Sequence, residues 1–194
     1  MKNTTKEFNL IIAGVGGQGL ITLLKVLAEA AVKSGYEVRT SELHGLSQRG
    51  GNVEVHLRFG KNIYSPLVRA GNADLIIGLE AQEALTVFRY GAKNKTVFLL
   101  NKFFQPIGGK KLLEEKEILT ELKKVAGKAI FIDASRICRE KLGIEVVSGV
   151  SLLGYAVYQG LLPLEPKIVR RAIKENIPKE FLEINLKAFD IFKN

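Results

Sequence analysis

Hydrophobic and polar positions along the chain change period several times, and each change marks an element. Phe8-Asn9-Leu10-Ile11-Ile12-Ala13 is a short apolar run of the kind a strand buried on both faces shows, and it stops at Gly14. The period then lengthens. Leu20, Leu23, Leu24, Leu27, Ala28 and Ala31 recur at intervals of three and four, one apolar stripe of a helix that runs to about Lys33 and ends before Gly35. Residues 37–42 predict a second strand, which would complete a β-α-β unit with a right-handed crossover.

Residues 44–51 show no usable period, and their glycines and polar side chains read as a loop. Val53, Val55, Leu57 and Phe59 then alternate with Glu54, His56 and Arg58, as in a strand with one face on the core and one on polar surroundings. Gly60-Lys61-Asn62 predicts a turn into a short strand around Ile63 and Tyr64, so an antiparallel hairpin is expected to interrupt the α/β alternation. Alternation resumes with strands at 73–79, 96–101 and 129–133, and helices at 81–90, 117–126 and 136–142. Beyond Gly143 the pattern is helical, over 150–160, a segment reaching 176, and 178–192, with Pro163, Pro166 and Pro178 where helices begin. No repeat or linker divides the chain. The expectation is one α/β domain over residues 1–194, with a mostly parallel sheet, helices on both faces, an inserted β-hairpin and a helical C-terminal part.

The composition, 46% hydrophobic and 25% charged over 194 residues, is that of a folded globule. No apolar run approaches the roughly 18 to 20 residues needed to span a bilayer, and residues 1–7 lack the centre of a signal peptide, so a cytoplasmic location without membrane association is expected. Cys138 is the one cysteine, which excludes a disulfide within the chain and the four thiolates of an iron–sulfur cluster. The net charge of +9 raises three partners: nucleic acid, an anionic cofactor and an acidic protein. Glu and Lys interleaved over 110–124 describe a solvated helix face, and a Lys-rich surface also accompanies heat adaptation. No basic strand carries interleaved aromatics, so no nucleic-acid partner is expected.

Gly14-Val15-Gly16-Gly17-Gln18-Gly19 fits G-x-G-x-x-G between a strand and a helix. Small residues there let the backbone turn sharply and approach a phosphate, while the helix start supplies N–H groups and partial positive charge. Packing of strand on helix would ask for the same glycines, and both readings stand at this point. Glu42 closes the second predicted strand, 23 positions after Gly19, near where a dinucleotide-binding acid takes ribose hydroxyls. The second constellation is Ser41-Glu42-Leu43-His44-Gly45-Leu46-Ser47-Gln48-Arg49-Gly50-Gly51. Arg49 offers a planar fork of donors beside glycines that admit a phosphate or another backbone; the alternative is an Arg49–Glu42 pair shaping a turn. Neither His44 nor His56 has a partner at metal-ligand spacing, so no metal site is expected.

The glycine turn, the loop from Ser41 to Val53, and Ala73-Asp74-Leu75-Ile76-Ile77-Gly78-Leu79-Glu80-Ala81-Gln82-Glu83-Ala84-Leu85 stand in the order and at the distances seen in one family. Together they make the chain resemble the gamma-type module of 2-oxoacid:ferredoxin oxidoreductases, and Asn101-Lys102 follows a strand as that family has it. His44-Gly45-Leu46-Ser47-Gln48-Arg49 is similar to the indolepyruvate branch, whereas pyruvate relatives usually carry a Gly-Pro-Glu type sequence there. Val147-Ser148-Gly149-Val150-Ser151 departs from relatives that have an asparagine ahead of the Leu153-Gly154 pair, so no ligand contact is carried over from it.

The resemblance implies a Rossmann-like fold and a subunit inactive on its own. Its complex would oxidise an indolepyruvate-type or arylpyruvate 2-oxoacid with coenzyme A to an acyl-CoA and carbon dioxide, passing electrons to ferredoxin. Thiamine diphosphate, Mg and 4Fe–4S clusters would sit on a large alpha subunit, since this chain lacks the thiolates and shows no Gly-Asp-Gly thiamine signature. Gly14, Gly16, Gly17, Gln18 and Gly19 would form the backbone cradle, and Ser47, Gln48, Arg49, Gly50 and Gly51 the loop facing ligand or partner. Two alternatives remain: a gamma subunit for pyruvate or another oxoacid, and a self-sufficient nucleotide-binding oxidoreductase.

Overall fold

The computed structural model describes residues 6–44, 51–104 and 112–193. Its elements are β1 (Glu7–Val15), α1 (Leu20–Lys33), β2 (Glu37–His44), β3 (Asn52–Gly60), β4 (Leu75–Gly78), β5 (Val97–Asn101), α2 (Glu115–Leu122), β6 (Lys128–Ile132), α3 (Ala134–Leu142), α4 (Ser148–Tyr158), α5 (Pro166–Asn176) and α6 (Lys179–Phe189). The strands form one sheet in the order β2-β3-β1-β4-β5-β6. β1, β4, β5 and β6 run parallel, and β3 is antiparallel to both of its neighbours.

β1 is apolar without alternation because both of its faces are covered. Leu10 and Ile12 join a large core with α1, α4, α5 and α6, while Ile11 and Ala13 join a smaller one with α2 and the segment from Val68 to Tyr90. Phe59 sits in the larger core with its ring centroid 5.2 Å from those of both Phe8 and Tyr36. Each such buried aromatic or aliphatic side chain contributes about 1.5–3 kcal/mol.

Three expectations change. The hairpin expected at residues 60–64 is not formed: β3 pairs with β2, His44 opposite Val53, and residues 61–64 carry no strand. Asn62 takes a positive φ of 59°, and the Ile63 N–H is drawn to the Glu37 carboxylate at 3.2 Å, which bends the chain off the sheet. The β-α-β unit is split, because β3 inserts between β1 and β2. Finally, residues 82–90 form two 3₁₀ turns, Gln82–Leu85 and Phe88–Tyr90, where a helix was expected. The Glu80 carboxylate takes the Glu83 N–H at 2.7 Å and the Thr86 hydroxyl donates to the Glu83 carbonyl at 2.7 Å, so side chains capture groups an α-helix would need.

The C-terminal helices seal the larger core. α4 and α6 meet at Gly154, where an added Cβ would overlap the Phe189 carbonyl oxygen. Close by, Asp190 accepts from the Tyr158 hydroxyl at 2.7 Å and pairs with Arg170; burial, then this bond, pushes Tyr158 up to about 12. Gly154→Ala is expected to cost about 2 kcal/mol or more in urea unfolding, since packed helices must separate to admit the methyl group. A change under about 0.5 kcal/mol would show that the two helices are not held in contact there.

Candidate functional site

The carboxyl ends of the parallel strands converge on one cavity, of about 190 Å³, lined by Gly17, Gln18, Leu79, Asn101, Phe103, Ser135, Glu145, Val146 and Ser148. Each strand delivers its part. β1 leads into the glycine turn, β4 into Leu79, β5 ends at Asn101, and β6 leads into α3 and Ser135. The edge of such a sheet, outside the carboxyl ends, is where open α/β folds bind ligands.

The glycine turn is closed by one side chain. Gln18 Oε1 accepts the Val15 N–H at 2.9 Å, and the Gln18 N–H donates to the Val15 carbonyl at 3.2 Å. A Cβ on Gly14 would lie 2.6 Å from that same Oε1, so the closure requires glycine at 14. Gly17 and Gly19 have φ of 99° and 79°, a region open to glycine, and Gly19 stands at the N-cap of α1. The caps of both α1 and α4 bring no side-chain hydrogen bond, and both helix starts reach the cavity, through Gln18 and Ser148 respectively. Backbone N–H groups and the positive ends of two helix dipoles therefore face the same space.

The two candidate motifs meet. The Gly16 N–H donates to the Gly51 carbonyl at 3.2 Å, which brings the end of the second loop against the first. Gly14, Gly16, Gly17, Gln18 and Gly19 form the turn as the sequence predicts, and Gly17 and Gln18 line the cavity. Ser47, Gln48, Arg49 and Gly50 lie outside the described residues. Glu42 does not sit beside the glycine turn. It is on the edge strand β2, opposite Val55 and with β3 between it and β1, two strand spacings or about 10 Å away.

The sequence marks Asn101 at the end of a strand but not its role in the floor of the cavity, nor its partner Ser135. Asn101 Nδ2 donates to Ser135 Oγ at 2.8 Å and to the Leu79 carbonyl at 3.3 Å, and the Ser135 N–H returns to Asn101 Oδ1 at 3.3 Å. A polar residue ending a buried strand was the available signal. A second, apolar groove of about 300 Å³ shares Gln18 and Val146 with the cavity and runs between α1, α4 and α6 past Thr22, Leu23 and Ile184. Its lip is Ile144, Val146 and Phe181, exposed by 41%, 64% and 56%.

The opposite face of β3 carries a buried polar cluster where polar surroundings were expected. Glu54 is 7% and His56 0% exposed. The Val68 N–H donates to His56 Nδ1 at 3.1 Å, so the ring proton is on Nε2, which donates to Glu54 Oε1 at 2.6 Å. Arg89 reaches Glu54 Oε2 at 3.4 Å and lies 4.4 Å from the centre of the Tyr90 ring. Burial opposes the Glu54 charge, but hydrogen bonds from His56 and Tyr90, with Arg89 nearby, outweigh it and hold the carboxyl below its ordinary range. Cys138 is buried, and burial pushes its thiol up, against a weaker lowering by Ser151, so it is a packing residue. Among the described residues no group of three His, Cys, Asp or Glu could hold a metal ion, and no helix is long and apolar enough to cross a membrane.

Fold and site define a class first: an α/β domain with a cleft at the carboxyl ends of parallel strands, closed over by a glycine turn. Residues 9–191 match the family described as Pyruvate ferredoxin/flavodoxin oxidoreductase, and the chain belongs to that family as a gamma-type domain. It is 36% identical over 191 residues to the indolepyruvate oxidoreductase subunit IorB of Pyrococcus horikoshii, covering 96% of this chain and 94% of the relative. It is 31% identical over 176 residues to the pyruvate/ketoisovalerate oxidoreductases common subunit gamma of Thermococcus kodakarensis, covering 90% and 89%. The solved gamma subunit of a keto/oxoacid ferredoxin oxidoreductase from Geobacter sulfurreducens superimposes with a TM-score of 0.71 at 18% identity, covering 96% and 94%, and so shares the fold.

Because the folded pKa of Glu54 is below its unfolded one, its stabilising contribution is present above the unfolded pKa and is lost as pH falls through the folded value. Glu54→Gln is expected to cost about 1–3 kcal/mol at neutral pH. The gap from the parent protein should narrow as urea unfolding is repeated toward pH 4. A gap independent of pH would assign the cost to packing.

Proposed function

We propose that this chain is the small subunit of an indolepyruvate-type ferredoxin oxidoreductase. The complex oxidatively decarboxylates an arylpyruvate with coenzyme A, giving an acyl-CoA, carbon dioxide and reduced ferredoxin. The observation that carries the reading is the family match over 9–191, with identity to the indolepyruvate relative higher than to the pyruvate/ketoisovalerate one. The donor set of this chain does not fit an iron–sulfur cluster, since its one cysteine is buried. Thiamine diphosphate with Mg and the 4Fe–4S clusters are therefore assigned to a large partner subunit, where they would stabilise the substrate carbanion and carry electrons away.

The work of this chain is to bind and orient. The turn of Gly14, Gly16, Gly17, Gln18 and Gly19 is assigned to ligand binding: with the Gly16 and Gln18 N–H groups spent on Gly51 and Val15, the remaining N–H groups at the start of α1 suit a phosphate of coenzyme A. Gly51 is tied to Gly16, and the adjoining sequence Ser47, Gln48, Arg49 and Gly50 is assigned to an anionic ligand or the partner chain, with Arg49 as the charged donor. The apolar groove that continues from the cavity suits the uncharged arm of an elongated ligand. Asn101 and Ser135, fixed by each other, keep the cavity floor polar. A self-sufficient nicotinamide enzyme is disfavoured by Glu42, which stands two strands from the turn where a ribose would lie.

Mild affinity purification of this chain from its own cells should bring down a large thiamine- and iron–sulfur-bearing chain, and the complex should show arylpyruvate- and coenzyme A-dependent dye reduction. A lone chain that binds NAD, NADP or FAD saturably and turns over would contradict the assignment. In the complex, Arg49→Ala is expected to lower kcat/KM for coenzyme A by about 10- to 100-fold, the worth of one charge-assisted hydrogen bond. Its effect on folding should stay within about 0.5 kcal/mol. A variant that fails to fold would make Arg49 a structural residue.

A further inference from the structure

The apolar groove holds one polar side chain that packing does not explain. Asn185 lies in the middle of α6, is 9% exposed and lines the groove beside Ile184. Asparagine is a poor helix former, and a buried amide is costly unless its hydrogen bonds are made, so packing alone would place leucine here. Asn185 Nδ2 donates to the Phe181 carbonyl at 2.8 Å, one turn back along the same helix. That bond settles the orientation of the amide, because the atom facing a carbonyl oxygen must be the nitrogen. Oδ1 is then the other atom, and it accepts nothing from the described residues, which leaves an open acceptor on a side chain of the groove wall.

Gln18 is common to the groove and the cavity. Its Oε1 accepts the Val15 N–H at 2.9 Å, while its Nε2 donates to none of the described residues. The groove therefore offers one open acceptor, at Asn185, and one open donor, at Gln18, between apolar walls that include Leu23, Val150 and Ile184. Amide groups ask for both, an acceptor for the N–H and a donor for the carbonyl, whereas a hydrocarbon would leave both unmet. At about 300 Å³ the groove is at the lower bound of small-molecule sites, so it has room for one segment of a ligand whose remainder lies in the adjoining cavity.

Resting on the function proposed above, we infer that the groove seats the pantetheine arm of coenzyme A, with an amide N–H of the arm donating to Asn185 Oδ1 and an amide carbonyl accepting from Gln18 Nε2. Asn185 is then a specificity-determining residue. Backbone N–H groups at the start of α1 would serve the phosphate of any nucleotide, and Asn185 selects the one that carries an amide-bearing arm. The aryl side chain of the oxoacid matches the groove less well, because an indole ring has an N–H for Asn185 and no acceptor for Gln18.

The test uses the purified complex and reads equilibrium binding of coenzyme A without oxoacid. Asn185→Leu removes the acceptor at similar volume and is expected to weaken binding about tenfold, the worth of one buried hydrogen bond. Two coenzyme A analogues, each with one amide N–H of the arm replaced by CH2, complete a double-mutant cycle. One of them should bind the parent about tenfold more weakly than coenzyme A and bind the variant as coenzyme A does. The analogues are read on the parent as well, so they decide the matter even where Asn185→Leu fails to fold. Unchanged affinity in the variant, or two analogues that bind the parent as coenzyme A does, overturns the inference. A variant that keeps its coenzyme A affinity but loses a preference for indolepyruvate over phenylpyruvate would give the groove to the aryl side chain, and loss of the large chain on copurification would make it a subunit interface; either overturns it too. A parent complex that binds coenzyme A but shows no arylpyruvate-dependent dye reduction would count against the proposed reaction alone, because binding is read independently of turnover.

Discussion

The bond from the Val15 N–H to Gln18 Oε1 is the constraint on which the site depends. It ends β1, folds the chain back within three residues and fixes where α1 begins. Because the oxygen occupies the space a Cβ at residue 14 would need, the turn and the glycine specify each other. With α1 so placed, its start reaches the cavity below, and its apolar stripe of Leu20, Leu23, Leu24 and Leu27 falls on the larger core. Packing and presentation of backbone N–H groups thus follow from a single local geometry. The conformation that packs α1 on the core is also the one that the proposed binding role of these glycines requires, so the two readings do not compete.

β3 is the second organising feature. Its insertion between β1 and β2 moves Glu42 to a distant edge and brings Gly51 to Gly16, which changes a dinucleotide-type arrangement into one where Gly51, and not an acid of β2, borders the glycine turn. Only a strand satisfied on both sides can sit there, and the Glu54–His56 pair meets that demand on the face without the helices of the larger core. Burying a carboxylate is costly unless it is paired and hydrogen-bonded, and here His56, Tyr90 and Arg89 supply the partners.

Much of this was legible in the residues. Apolar runs located β1, β4, β5 and β6, helical stripes located α1 and the C-terminal helices, and the glycines announced the turn. Strand order was not legible, because the alternation of Val53, Val55, Leu57 and Phe59 says which face is buried and nothing about which neighbours pair. The 3₁₀ turns after β4 escaped notice because the capture of Glu83 by Glu80 and Thr86 competes with a helix that the apolar spacing alone supports. The cavity floor escaped because Asn101 and Ser135 are 34 positions apart and become neighbours only through the parallel pairing of β5 and β6.

The central claim is that the turn, the cavity and the apolar groove together form the ligand end of this subunit. Hydrogen–deuterium exchange on the intact complex, with and without coenzyme A, tests it most directly. Slowed exchange over residues 14–22 and 144–150 on adding coenzyme A is the predicted result. Protection confined to the partner chain, with both of these segments unchanged, would contradict it.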